Sequence, residues 1–420
     1  MLSTHARGRH LSFHTPGHKQ GGWDITELAY SDNLSCPRGC IAEAEKDIAD
    51  ILGAEKSFIL TDGSTSGVLS MLYAAKLSGV KTVALCEGSH KSVFNGCAAL
   101  GLTPLLYPQE KQWGTPKNPT MYALKRDFSE IFDGADALFF TSPNYYGQTT
   151  DLKALRKYCD ETGKLLLIDG AHGGHLHFDK TVYAGAYADM WVDGVHKSLP
   201  AFTQGAVVSA RTEKIAEWLC KGVDTFRTTS PSYPVMASVE YAVKYPQNTG
   251  LENAVREWAK GEPRILLAED WTKVCVVFGD EAFEAEKALE KRGVYPEFCD
   301  GNIVMFYLSP ATTKRQFASL KRILKDLFEC FPLIETAKNE TQRIPAPIFL
   351  AKNTKKEWVM AEKCVGRICA GVCGLFPPCT PLFSVGERIT QEKLMLLKKA
   401  NNVYGLKDGK ILVVKDDENE

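Results

Sequence analysis

Apolar residues come in short runs along this chain, each closed by a polar or glycine-rich stretch. Ser57–Leu60, Thr82–Cys86, Ala137–Thr141, Lys164–Ile168, Met190–Val192 and Gly205–Ser209 predict strands, and Thr65–Leu77, Ser92–Leu100 and Asp151–Thr162 predict helices between them. The first of these helices is entered through Thr61-Asp62-Gly63-Ser64, side chains suited to capping. Strands alternating with helices predict an α/β fold, a mostly parallel sheet with helices on both faces. Ligands of such sheets bind beyond the carboxyl ends of the strands. The polar clusters at 61–66, 88–92, 142–149, 169–177 and 193–198 each follow a strand, so they are expected to converge on one site.

Past Tyr245 the texture changes. Asn248–Leu267 reads as mainly helical, Lys273–Phe278 and Asn302–Leu308 as strands, Glu281–Arg292 and Thr313–Phe328 as helices, and Lys338–Pro345 as a loop. This is an α+β pattern. The expected organisation is an N-terminal segment (1–22), a large domain (23–247) and a smaller C-terminal domain (248–420).

Composition narrows the function. Fifty Lys and Arg against 51 Asp and Glu give a net charge of −1, without the basic excess of a nucleic-acid binder. No apolar run approaches the ~20 residues that cross a bilayer, and polar Met1–Arg9 lacks a signal-peptide core. Thirteen cysteines, an odd number without a short-spaced framework, read as reduced thiols in a cytoplasmic protein. Cys364, Cys369, Cys373 and Cys379 match no common zinc or iron–sulfur spacing, nor do His172, His175 and His177 match a helical zinc site. Trp23 and Trp191 read as core. All nine histidines lie at or before His196, which points the polar chemistry to the first half. The second half is expected to supply walls and one or two charges.

Three pieces carry chemistry. Gly63-Ser64-Thr65-Ser66-Gly67 at a helix start offers N–H groups, hydroxyls and a positive dipole end to an anion such as phosphate, or is simply a capped helix. Asp169 closes an apolar strand, where a carboxylate needs a cationic partner to stay ionised or serves as a strand-end cap. Lys197 follows another strand, where partial desolvation makes a lysine reactive, although most lysines are merely exposed. Joined, they are what pyridoxal phosphate requires: a lysine for the Schiff base, a carboxylate for the pyridine nitrogen and a helix end for the phosphate. His90, after the 82–86 strand, is placed to stack on the ring.

The blocks Phe13-His14-Thr15-Pro16-Gly17-His18-Lys19, Asp24-Ile25-Thr26-Glu27-Leu28, Thr61-Asp62-Gly63-Ser64-Thr65-Ser66-Gly67 and Ser89-His90-Lys91-Ser92 continue with Ser142-Pro143-Asn144-Tyr145-Tyr146-Gly147, Asp169-Gly170-Ala171-His172-Gly173 and His196-Lys197-Ser198-Leu199-Pro200. Thr228-Thr229-Ser230-Pro231-Ser232-Tyr233 and Gly366-Arg367-Ile368-Cys369-Ala370 complete them. In this order the chain resembles, nearly end to end, the Orn/Lys/Arg decarboxylases of pyridoxal-phosphate fold type I. The resemblance implies a PLP-binding large domain, and decarboxylation of arginine, lysine or ornithine to a polyamine-type amine and CO2. It implies that Lys197 carries the cofactor and Asp169 pairs with its ring nitrogen. Ser64, Thr65 and His196 would hold the phosphate, His90 would stack, and Lys197 or His172 would return the proton to the substrate. Thr228 and Ser230 match a segment that in the family reaches the neighbouring subunit's site, implying a homodimer with shared sites. Glu387 matches the acidic residue near the substrate's distal cation.

The chain departs from the family at several points. Gly194 stands where Ser is usual, and Gly170 where Glu is usual. Phe376-Pro377-Pro378-Cys379-Thr380-Pro381 replaces a Tyr-Pro-Pro-Gly-Ile-Pro run, and Val385-Gly386-Glu387 a Pro-Gly-Glu. No wing domain is expected ahead of the Pro-Gly-His-Lys block. Another fold type I reaction (aminotransferase or C–S lyase) and a catalytically silent homologue stay open as alternatives.

Overall fold

In the computed structural model the apolar runs stack into the middle layer of three. Residues 13–19, 23–112, 115–332, 342–343, 354–375, 381–383, 385–400 and 402–415 are described. Seven strands make the main sheet: β1 (Lys56–Leu60), β2 (Thr82–Cys86), β3 (Thr103–Tyr107), β4 (Ala137–Thr141), β5 (Leu165–Gly170), β6 (Met190–Asp193) and β7 (Ala206–Ala210). Their order is β1-β7-β6-β5-β4-β2-β3, and only β7 runs against its neighbours. The carboxyl ends of β1, β2, β4, β5 and β6 therefore share one edge, and the five polar clusters line up along it.

Both faces of the sheet are covered, which is why its strands are apolar without alternation. One face carries α1 (Cys40–Leu52), α4 (Met121–Gly134), α5 (Leu152–Thr162) and α8 (Tyr233–Val243) over Ile59, Leu138, Ile168 and Trp191. The other carries α2 (Ser64–Leu77), α3 (Lys91–Leu100) and α7 (Glu213–Phe226) over Leu60, Phe139, Leu167 and Val192. A Cβ on Gly67 would fall 2.6 Å from Val192 Cγ2 and 3.0 Å from Leu60 Cδ1. Glycine there lets α2 lie directly on β1 and β6, with its N-terminus at their carboxyl ends. Between α5 and α7, the single turn α6 (Val195–Ser198) carries Lys197.

Further along, α9 (Thr249–Gly261) leads to an antiparallel sheet of β8 (Ile265–Leu267), β9 (Lys273–Val277), β10 (Phe298–Cys299) and β11 (Ile303–Tyr307), in the order β8-β9-β11-β10. Together with α9, α10 (Ala282–Glu290) and α11 (Lys314–Cys330) cover one face through Val274, Val276, Val304 and Phe306. The opposite face, with Cys275, Phe298 and Met305, packs on Cys364, Cys369, Cys373, Phe383, Leu394 and Val413. The turn after β4 docks here too: Tyr146 Oη donates to Asp300 at 2.9 Å, and the Asp270 N–H to the Gly147 carbonyl at 3.0 Å. That docking brings β9 and β11 to the edge of the main sheet where these carboxyl ends meet.

Several expectations change. Residues 265–267 form a strand rather than the tail of a helix, because Pro263 cannot continue α9. Edge strand β3 was hidden by Pro104, a residue that edges tolerate. Trp191 is fully buried as expected, whereas Trp23 is 62% exposed. Helix α2 begins at Gly63 (φ +85°) with no side-chain cap, so its first N–H groups are not taken by a side chain. Within the expected 338–345 loop, Gln342–Arg343 pairs with Glu110–Lys111, and the rest lies outside the described residues, as does 376–380. No described helix is long and apolar enough to cross a membrane.

Candidate active site

The loop after β5 and the turn α6 place their functional groups side by side. Asp169 is 4% exposed, and its Oδ1 accepts the Ala171 N–H at 3.0 Å. Lys197 Nζ lies 3.1 Å from His172 Nε2, and His172 Nδ1 lies 3.2 Å from Tyr307 Oη. Burial, with Lys197 and Lys273 nearby, holds the His172 imidazole well below its ordinary pKa. His90 ends the loop after β2 and caps α3, accepting the Ser92 N–H at 3.2 Å on Nδ1. Burial lowers its pKa; the Asp169 charge opposes this and Lys197 reinforces it, so His90 faces both.

Sequence reasoning missed the groups that arrive from the second sheet. Lys273, fully buried, pairs with Asp270 at 3.2 Å, donates to the His172 carbonyl at 3.4 Å and lies 4.4 Å from the Tyr307 ring centroid. Asp270 also meets His175 Nε2 at 2.8 Å. Burial pushes the Asp270 pKa up, but His175 and Lys273 together hold it below the usual carboxylate range. The only signal in the sequence was polar Asp270-Trp271-Thr272-Lys273 abutting an apolar strand. His172, His175 and His177 turn to separate partners, the last facing the Gly174 carbonyl at 2.7 Å. Among the described residues no group of three or more His, Cys, Asp or Glu could hold a metal.

Beside the loop after β5, Ser64 is buried and Thr65 exposed at the start of α2. A Cβ on Gly194 would sit 2.3 Å from the Ala171 carbonyl oxygen and 3.0 Å from Ser64 Oγ. A serine cannot be accommodated at 194 without moving backbone, and the Ser64 hydroxyl already stands at that spot. Gly194→Ala is therefore expected to cost about 1–3 kcal/mol by overpacking, read from denaturant unfolding. An unchanged midpoint would contradict the crowding. His196 Nδ1 lies 3.0 Å from the Gly205 carbonyl, and burial lowers the pKa of the ring. Half-buried Thr228 donates its N–H to Asp62 at 2.9 Å, beside α2, whereas Ser230 is exposed.

Glu387 is half-buried and ion-paired with Lys393. Facing it from the loop after β2 is Glu87, 7% exposed, whose Oε1 has no partner among the described residues. Burial pushes the Glu87 pKa up to about 8, with Glu387 adding and Lys393 opposing. Thr61 Oγ1, Ser89 Oγ, Thr141 Oγ1 and Asp193 Oδ1 are likewise buried without partners, all at this same edge. Such atoms are rare in folded proteins, and these five stand at the strand ends where a polar ligand would sit.

Known proteins resemble the chain along most of its length. The chain is 28% identical to the uncharacterized protein YaaO of Bacillus subtilis over 450 aligned residues, covering 95% of this chain and 92% of that one. It is 24% identical to the arginine decarboxylase of the same organism, again over 95% and 92%. The structure of the Escherichia coli constitutive lysine decarboxylase superposes with a TM-score of 0.73 at 19% identity, covering 99% of this chain and 81% of that one. The architecture is that of the fold type I enzymes. Residues 22–261 match the family described as Orn/Lys/Arg decarboxylase, major domain. With more than half its length inside that match, the chain belongs to the Orn/Lys/Arg decarboxylase family.

Proposed function

We propose that the chain is a PLP-dependent decarboxylase that converts a basic L-amino acid, arginine, lysine or ornithine, to its amine and CO2. The observation that carries this reading is the placement of Lys197, His172 and buried Asp169 on one sheet edge beside unpartnered buried polar atoms. The residues fit the cofactor: an α2 N-terminus without a side-chain cap for the phosphate, a buried carboxylate, and a lysine against His172. When bound, PLP supplies a sink for the electron pair left at the substrate Cα by loss of CO2.

The chain's own groups do the rest. Ser64, Thr65 and His196 would hold the phosphate, and His90 would pack on the cofactor. Because the Gly205 carbonyl engages His196 Nδ1, only Nε2 remains for a phosphate oxygen. Asp169 would keep the ring nitrogen protonated, and Lys197 would bind the cofactor. Lys197 or His172 would return a proton to the substrate Cα. Exposed Ser230, with Thr228, reaches the partner subunit of a homodimer with shared sites.

Glu387 faces the distal cation. Lys393 pairs with the Glu387 carboxylate, and burial keeps neighbouring Glu87 largely in its neutral form, so Glu87 offers hydrogen bonds and not a second charge. Glu387→Gln is expected to raise KM roughly 10–100-fold while kcat changes little, the loss of one charge-assisted hydrogen bond. Equal KM values in both proteins would remove Glu387 from substrate recognition. The reading as a whole is tested by mass spectrometry after incubation with PLP and an equimolar mixture of the common amino acids. One new amine from arginine, lysine or ornithine is expected; a keto acid in its place would mean transamination, and no product a silent homologue.

A further inference from the structure

Tyr307 closes β11, on the sheet that sequence reasoning left out of the site. Its hydroxyl lies 3.0 Å from the Tyr145 carbonyl oxygen and 3.2 Å from His172 Nδ1. A carbonyl can only accept, so the single hydroxyl proton of Tyr307 is committed to Tyr145. Toward His172 the hydroxyl then has only lone pairs, and Nδ1 must be the donor. A neutral imidazole with its proton on Nδ1 carries a lone pair on Nε2, the atom 3.1 Å from Lys197 Nζ.

We propose that Tyr307 is a positioning residue that fixes His172 as its Nδ1–H tautomer, so that the Nε2 lone pair faces the Lys197 amine. The charged and titratable groups acting on the His172 ring, Lys197, Lys273, His90 and His196, all oppose imidazolium. Tyr307 is itself held in place: Lys273 Nζ sits 4.4 Å from its ring centroid, and the Tyr145 ring lies 5.4 Å away. Tyr145 also meets the His172 ring edge-on at 4.9 Å, which limits rotation of the imidazole.

The consequence is directional. Lys197 Nζ donates its hydrogen bond to the Nε2 lone pair, so the neutral ring orients the amine nitrogen while its own Nδ1–H stays on Tyr307 Oη. The other tautomer would present an N–H to the ammonium and could accept nothing.

Nitrogen-15 NMR of the full-length protein labelled at histidine, with His172 assigned by its absence in His172→Gln, reads the tautomer directly. The expected result is Nδ1–H at neutral pH, and a shift toward a tautomer mixture in Tyr307→Phe. A His172 ring protonated on Nε2 alone, or freely averaging between tautomers in the wild type, would overturn the proposal. The wild-type spectrum decides this even if the variant folds poorly, and it does so independently of the decarboxylase reading. The kinetic test rests on that reading: Tyr307→Phe should lower kcat roughly 10–100-fold with KM nearly unchanged. A variant with wild-type kcat would also overturn the proposal.

Discussion

Lys197→Ala is expected to lower kcat by ~10³-fold or more, the loss that follows removal of a covalent catalytic group. Its position argues for so large an effect. Lys197 sits on a one-turn helix between β6 and β7, with His172 Nε2 at 3.1 Å. The buried lysine of the site cannot take over. Lys273 is fully enclosed, ion-paired with Asp270 at 3.2 Å and turned onto the His172 carbonyl. Borohydride reduction of the PLP-loaded protein followed by peptide mapping separates the two lysines. Cofactor mass is expected on the peptide holding Lys197 in the wild type and on neither lysine peptide in the variant. Label on Lys273, or a variant retaining turnover, would sink the assignment.

Strand ends were the most legible feature of the sequence, and they carry most of the site. An apolar run buried on both faces needs no alternation, so its polar successor marks the point where the chain leaves the core. Asp169, Asp193 and Thr141 stand at such points, and the order of the strands puts them on one edge. What stayed illegible depends on docking between sheets. Tyr307 and Lys273 look like ordinary strand residues until the Tyr145-Tyr146-Gly147 turn packs against β9 and β11. Gly194 stands where the family usually has Ser. In three dimensions it is a close approach of two backbones, with the Ser64 hydroxyl filling the place. The family resemblance suggested which residue should hold a substrate cation; that Lys393 already pairs with Glu387 is a tertiary fact with no local signature.

Asp169→Asn should cost ~10²–10³ in kcat with little loss of stability, because it removes charge and little else. The amide keeps an oxygen to accept the Ala171 N–H, which Asp169 takes at 3.0 Å. It cannot hold a proton on a pyridine nitrogen by charge. A rival carboxylate lies close by. Asp193, at the end of β6, is 1% exposed, and its Oδ2 receives Tyr183 Oη–H at 2.7 Å and Trp191 Nε1–H at 3.1 Å. Burial pushes its pKa up to about 7, Tyr183 and Trp191 oppose, and the Asp169 charge adds to the rise. A carboxyl whose ionisation burial opposes in this way is a poor guardian of a ring-nitrogen proton. The sign of the linkage follows: with Asp169 neutral, one cause of that rise disappears and Asp193 ionises at lower pH. If Asp193 then substitutes, the residual activity of Asp169→Asn should rise with pH as Asp193 loses its proton, and Asp169→Asn/Asp193→Asn should abolish that rise. If the roles were reversed, Asp193→Asn would be the variant with the large kcat loss and Asp169→Asn would be nearly wild type. Comparing the pH–rate profiles of the two single variants distinguishes these outcomes, and a large loss confined to Asp193→Asn would refute the assignment of Asp169.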